Sequence, residues 1–252
     1  MKIMSFNLRY DNSADGINAF PNRIPRIIEI IERESPDIIG FQEVTDSMKK
    51  TIRSILKEYT TVGCGRDSNY HGESMLVGFK TELFELIEVN SVWLSETPSV
   101  PGSKYGLDHS SCPRMFTSVL LKHNDIESPI RFINTHLDHV GALARVKEAE
   151  QLSNYLLSLK EPFVLTGDFN ATPETPEIEL IRSKIHTVGG IDCTENLGPT
   201  FHEFGKRAED RQIKIDYIFS NLECKNVYKV EDIPVNGQYY SDHNAICAQF
   251  EL

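Results

Sequence analysis

The sequence predicts an α/β (α+β) fold formed as one unit over residues 1–252. Three observations predict it. Strand-like and helix-like runs alternate from end to end, strands crowd the middle and the C-terminal third, and no repeat, low-complexity tract or linker interrupts them. Periodicity alone does not order the strands into sheets.

Ile3 to Leu8 reads as the first strand. Asn22 is placed to cap the helix that follows, with Pro25 in its first turn and Ile24, Ile27, Ile28 and Ile31 on its apolar stripe. Pro36 stops that helix, and Asp37 to Phe41 is a short buried strand. Thr45 or Asp46 caps a second helix carrying Met48, Ile52, Ile55 and Leu56. Ser74 to Phe79, Leu83 to Leu94, Thr117 to Lys122 and Ile130 to His136 are expected strands. Residues 95–114, rich in Pro, Gly and Ser, form a long loop that is either functional or a surface excursion. The longest helix covers Ala142 to Leu159, with Leu143, Val146, Ala149, Leu152, Leu156 and Leu159 on one face. Phe163 to Thr166 is a strand buried on both faces. Thr175 and Pro176 open a short helix. Ile213 to Phe219, Cys224 to Val230 and Ala245 to Leu252 return to strands, the last with one buried face.

The formal charge is −11, from 26 basic and 37 acidic residues. Proteins that grip long duplexes present a basic stripe. The only basic cluster here, Lys206, Arg207, Arg211 and Lys214, is broken by Glu209 and Asp210 and reads as a solvated loop, with phosphate contact as the lesser alternative. Five scattered cysteines without a CxxC pair argue against a disulfide framework and against zinc. A reducing, cytoplasmic location is expected, since no apolar run suits a membrane span or a secretory leader. No protein partner is inferred.

The informative polar residues sit at strand ends: Asn7, Glu43, His136, Asp168 with Asn170, Asp216, and Asp242 with His243. Such ends display side chains on a rigid scaffold. Each has a plainer reading. Asn7 can make a turn, Glu43 can face a helix N-terminus, and Asp168 with Asn170 can form an Asx-turn. Asp216, inside an apolar strand, is the hardest to dismiss, because a buried carboxylate needs a partner. Taken together, oxygen ligands such as Glu43 and Asp242 select a hard cation, Mg²⁺ or Mn²⁺. Asp168 then suits a base for water, and His136 and His243 suit phosphate contacts, which is the equipment of phosphate-ester hydrolysis.

The segments SFNLRY, FQEV, NTHLDH, TGDFNATP, KIDYIF and SDHN, in that order from residue 5 to residue 244, resemble the signatures of the endonuclease/exonuclease/phosphatase superfamily, the group of deoxyribonuclease I. The resemblance implies a four-layer sandwich of two packed mixed β-sheets flanked by helices. It implies that Glu43 binds the metal with Asn7 and Asp242 close by, and that Asp168, with Asn170 beside it, handles the attacking water. It further implies that Asp216 polarises His243, and that His243 and His136 contact phosphate, with Asn7 also within reach of it. Some relatives carry a second metal-binding Asp where Arg9 stands here, so Arg9 is reassigned to phosphate. LTGDFNATP departs from the WxGDxNxR segment of the inositol 5-phosphatases and lowers that reading. The stretch from Leu94 to Val119 is similar to a bacterial, largely uncharacterised branch, in which Glu73 and Arg114 would face the cleft and Arg114 would contact phosphate.

The expected activity is Mg²⁺- or Mn²⁺-dependent hydrolysis of a phosphate ester. A phosphodiester such as a short or single strand of nucleic acid comes first on family resemblance, and a small phosphomonoester or lipid head group second. A catalytically silent binding module would show erosion of the acidic and histidine positions, and none is eroded.

Overall fold

A computed structural model describes residues 1–106 and 108–251. Among the described residues, twelve strands form two sheets. The strands are β1 (Lys2–Asn7), β2 (Ile38–Val44), β3 (Tyr59–Val62), β4 (Ser74–Lys80), β5 (Phe84–Trp93), β6 (Met115–His123), β7 (Ile130–His136), β8 (Phe163–Asp168), β9 (Ile191–Asp192), β10 (Asp216–Ser220), β11 (Cys224–Lys229) and β12 (Ile246–Phe250). One sheet runs β11-β12-β1-β2-β4-β3 and the other β5-β6-β7-β8-β10-β9. Both are mixed: β1 and β2 pair in parallel, as do β7 and β8, and their other partners are antiparallel.

Strand alternation builds the layers. Ile3, Ile38, Val77, Phe132, Val164, Ile218 and Ile246 point inward and make one core between the sheets. Their neighbours Met4, Ile39 and Cys247 point outward, under Ile27 and Ile31 of α1 (Phe20–Glu34) and Ile52 of α2 (Asp46–Ile55). On the opposite side Ile133, Leu165 and Phe219 lie under Leu152 and Leu156 of α3 (Ala142–Ser158) and Ile181 of α4 (Pro176–His186). The result is the four-layer sandwich, helices outside and two packed mixed sheets within.

The two sheets are also joined by a buried polar knot close to the site. Asn134 Nδ2 donates to the carbonyls of Phe41 (2.8 Å) and Leu76 (3.1 Å), and its Oδ1 accepts from Gln42 Nε2 at 2.6 Å. All its capacity is used, so its burial carries little penalty.

Several local expectations need correction. Asn22 does not cap α1; the helix starts earlier, with Pro21 in its first turn, and Asn22 Nδ2 donates back to Gly16 O at 3.1 Å. Pro25 therefore lies beyond the first turn. Thr45 and Thr175 occupy cap positions by backbone geometry, but neither hydroxyl caps its helix. Leu143 is 63% exposed, because α3 turns Ala144 and Glu148 inward instead. Glu148 is buried to serve the backbone N–H of Asp138 (2.8 Å) and the ring of His109. Lys214 does not belong to a solvated loop: it is 5% exposed and donates to Thr194 O at 2.5 Å. The strand expected from Ile213 starts at Asp216. In β12 both Ile246 and Cys247 are fully buried, since the strand lies inside its sheet with α1 on one side and the second sheet on the other. Leu252, expected in that strand, lies outside the described residues.

Candidate active site

Three adjacent strands of the second sheet end side by side. The pairing register sets His136 of β7 level with Asp168 of β8, and Asp168 level with Asp216 of β10. The first sheet contributes Asn7 at the end of β1, Glu43 from β2, and Asp242 with His243 just before β12. Glu43 sits on a bulge, where the register against β4 shifts between Phe41 and Val44. Its φ of 61° is left-handed, as are those of Arg9 (54°) and Asn170 (48°). Non-glycine residues adopt that region at a cost, and here it accompanies three side chains that line the cleft, one on a bulge and two just past strand ends.

His243 Nδ1 lies 2.9 Å from Asp216 Oδ2, and its Nε2 lies 3.7 Å from Asp168 Oδ2. Thr200 Oγ1 donates to the same Asp216 oxygen at 2.5 Å. Burial opposes charge on His243, but Asp216, Asp168 and Asp242 outweigh it and push its pKa up to about 10, so the ring is an imidazolium. His136 is the opposite case. Burial, then Arg114 and Arg66, hold its pKa well below the ordinary range. The Asn170 amide donates both to Leu137 O (3.0 Å) and to His136 Nε2 (2.9 Å). His136 is therefore neutral with its proton on Nδ1, a buried atom that has no acceptor.

The acids are crowded. Burial, with Asp216 and Glu43, raises the Asp168 pKa to about 7 against the pull of His243. Asp242 is raised by burial and by Glu43. Asn7 Nδ2 lies between two of them, 2.9 Å from Asp168 Oδ2 and 3.2 Å from Glu43 Oε1. Glu43, His136 and Asp168 offer ligand atoms within 4.8 Å of one another. With the His136 lone pair taken by Asn170, the carboxylate oxygens of Glu43, Asp168 and Asp242 remain, and they fit a hard divalent cation, which would relieve the repulsion. Asp168, Asp216 and His243 form a second such group, but there the imidazolium already supplies the positive charge.

These residues line a cleft of about 590 Å³. Every expected site residue reaches the cleft or buttresses one that does. Arg9 binds Asp15 (Nε to Oδ2, 3.0 Å) and faces Asp242 at 3.8 Å. Arg114, 3% exposed, is held by His139 Nδ1 at 2.8 Å and lies 3.6 Å from Asp138, and its Nε and Nη1 have no hydrogen-bond acceptor among the described residues. The loop over 95–114 is thus pinned to the cleft: Ser110 bonds Asp138, and Asp108 accepts from Leu143 N and Ala144 N at the start of α3. Glu73 forms a two-pronged pair with Arg66, both contacts 2.9 Å. Burial and Glu43 raise the Glu73 pKa.

Arg66, His139 and Phe201 line the cleft without having been singled out in the sequence, and Arg207, read there as part of a solvated loop, lines it too. Arg66 sits in an irregular polar segment with no periodic signal, and His139 is inside NTHLDH, where only His136 ends a strand. Phe201 packs at a tilt against the His243 ring, 4.8 Å between centroids, and Arg207 lies 4.7 Å over Phe201.

The Endonuclease/Exonuclease/phosphatase family model matches residues 4–243. The chain belongs to this family. The endonuclease/exonuclease/phosphatase from Bacteroides vulgatus is 30% identical, with a TM-score of 0.92 over 100% of this chain and 98% of that one. The Bacteroides thetaiotaomicron VPI-5482 mannosyl-6-phosphatase Bt3783 is 27% identical, with a TM-score of 0.85 over 100% of both chains. An uncharacterized protein of Acanthamoeba polyphaga mimivirus is 22% identical over the full length of both. The family fold is a phosphoesterase fold, and its divalent-metal chemistry agrees with the donor set found here. Among the described residues, no helix is long and apolar enough to cross a membrane.

Proposed function

We propose that the chain is a Mg²⁺- or Mn²⁺-dependent phosphoesterase that releases phosphate from a small phosphomonoester of the sugar-phosphate type. The observation that carries hydrolysis is the row His136, Asp168 and Asp216, with the His243 imidazolium closing on Asp168. The monoester choice differs from the diester preference drawn from family resemblance. It is supported by the bounded cleft, by the cations Arg9, Arg66, Arg114 and Arg207 around it, and by the full-length likeness to a mannosyl-6-phosphatase. A monoester dianion needs more positive charge than a diester, but no basic stripe beyond the cleft.

Glu43, with Asp242 and Asn7 beside it, would hold the cation. Once bound, that ion supplies charge neutralisation on the phosphoryl oxygens and the leaving oxygen. Asp168 orients water and accepts its proton, and Asn7 and the Asn170 N–H (2.9 Å) fix its two oxygens. Asp216, anchored by Thr200, holds the His243 proton on Nδ1 and keeps the ring charged, so that Nε2–H faces the phosphoryl group. His136, fixed by Asn170 and 3.6 Å from Asp168, backs that carboxylate, and Arg114 and Arg9 add charge.

The test is phosphate release from mannose 6-phosphate and phenyl phosphate, against cleavage of bis-p-nitrophenyl phosphate and single-stranded RNA, with Mg²⁺ or Mn²⁺. Monoesters should be turned over preferentially. Asp168→Ala and His243→Ala should each lower kcat by about 10²- to 10⁴-fold. Preference for either diester would overturn the monoester reading, and full activity in either variant would overturn the mechanism.

A further inference from the structure

One group of residues lining the cleft is not part of the row that carries hydrolysis. Arg66, Glu73, Arg114 and His139 all line the cleft and lie close enough to act on one another's charge. Within this group His139 is the exposed member, carried on the turn between β7 and α3. Its protonation follows from its partner. Arg114 Nη2 lies 2.8 Å from His139 Nδ1, and a guanidinium has hydrogens to give but no lone pair to offer. Nδ1 must therefore accept, which leaves the ring neutral with its proton on Nε2, across the ring from Arg114. Burial and the positive charge of Arg114 hold His139 in that form, lowering its pKa.

Arg114 is itself buried. Its side chain is 3% exposed, beside Asp138, and Asp138 accepts from Ser110 N (3.2 Å), Val140 N (3.0 Å) and Gly141 N (2.7 Å). The His139 ring is thus presented by a buried support rather than by a free loop. A neutral N–H donor on that support recognises an acceptor without adding charge. The nearby Glu73 carboxylate, gripped by Arg66, keeps free lone pairs that accept from a hydroxyl. A donor beside an acceptor is what a hydroxyl group, both donor and acceptor, pairs with. A second phosphate would instead meet Glu73 and be repelled.

We infer that His139 is a specificity-determining residue, whose Nε2–H donates to a hydroxyl oxygen on the non-phosphate part of the substrate, so that this part of the cleft is a sugar subsite. The inference rests on the phosphomonoesterase reading and names the part of the substrate that the reading leaves open.

Two replacements separate contact from scaffolding. His139→Asn keeps an acceptor near Nδ1 for Arg114 and removes the outward donor, whereas His139→Gln places an amide donor near Nε2. KM and kcat are measured on mannose 6-phosphate, which carries hydroxyls, and on phenyl phosphate, which carries none. His139→Asn should raise KM for mannose 6-phosphate about three- to tenfold more than KM for phenyl phosphate, the worth of one hydrogen bond. His139→Gln should recover most of that difference. Equal loss on both substrates would mean a merely structural role and would overturn the assignment, as would no change on either. A wild-type protein that turned over neither substrate would overturn the phosphatase reading itself, and the subsite with it. Turnover of phenyl phosphate alone would leave the phosphatase standing and overturn the sugar subsite.

Discussion

Asn7 Nδ2 donates to Asp168 Oδ2 at 2.9 Å, from the end of β1 in one sheet to the end of β8 in the other. The same amide is 3.2 Å from Glu43 Oε1, and its oxygen accepts from Arg9 N at 2.9 Å. One neutral side chain thus spaces two carboxylates and ties the sheets at the cleft. Asn7→Ala should lower kcat by about 10²-fold through loss of Asp168 alignment. Asn7→Asp adds a third carboxylate to the cluster and should lower the melting temperature further than Asn7→Ala. Added Mg²⁺ should restore more of that stability in Asn7→Asp than in Asn7→Ala. Equal response of the two variants to Mg²⁺ in a thermal melt would show that charge crowding is not what Asn7 relieves.

The row His136, Asp168 and Asp216 was legible because strand ends are legible. An apolar run followed by a lone polar residue marks where a scaffold stops and a display position starts, and register then does the rest. The four layers follow from alternation in the same runs. What stayed hidden depends on contacts between distant segments. Arg66 is placed by its carbonyl, which accepts from Trp93 Nε1 at 2.6 Å, and no local pattern encodes that pairing. His139 owes its role to Arg114, 25 residues earlier. Strand β3 is half-buried along its whole length and lacks alternation, and β9 is only two residues long. Leu143 misled because periodicity reports apolar spacing, while the orientation of α3 is set by a buried acid, Glu148.

Gly40 is required by the polar knot between the sheets. A Cβ at this position would stand 2.4 Å from Thr166 Oγ1 and 2.7 Å from Asn134 Oδ1, atoms held by their own hydrogen bonds. Gly40→Ala should therefore destabilise the fold by about 1–3 kcal/mol, as overpacking of a filled interior does. Urea denaturation measures this as a lower midpoint with an unchanged slope. A midpoint equal to that of the parent would show that the knot shifts freely.

The crowded carboxylates predict a stability response to divalent cations. Asp168 and Asp242 both carry raised pKa values from burial and from acidic neighbours, including Glu43 in each case. A cation binding the native state alone stabilises it by about 2.7 kcal/mol at a hundred times its Kd. Chelator-treated protein should gain a few degrees in melting temperature on addition of Mg²⁺ or Mn²⁺, at about 2–4 °C per kcal/mol. Glu43→Gln should lose most of that gain. A gain undiminished in Glu43→Gln would remove Glu43 from the cation site.

His109 ties the loop over 95–114 to α3, and that tie should be pH-dependent. Its Nε2 lies 2.8 Å from Glu148 Oε1 on α3, and its Nδ1 lies 3.4 Å from Asp138 Oδ2, the oxygen that Arg114 Nε also approaches at 3.6 Å. Burial opposes the charge, but Glu148, the Ser110 carbonyl and Asp138 outweigh it, so the folded-state pKa is raised above the ordinary value. A raised histidine pKa means that the folded state binds the proton more tightly than the unfolded chain does. The stabilisation is therefore fully present below the unfolded value of about 6.5 and is lost as pH rises through the folded one. The melting temperature of the parent minus that of His109→Gln, which cannot titrate, should be largest near about pH 6 and should shrink by about pH 9. A difference constant over that range would mean that His109 is neutral in the fold and packs against Glu148 without an ion pair.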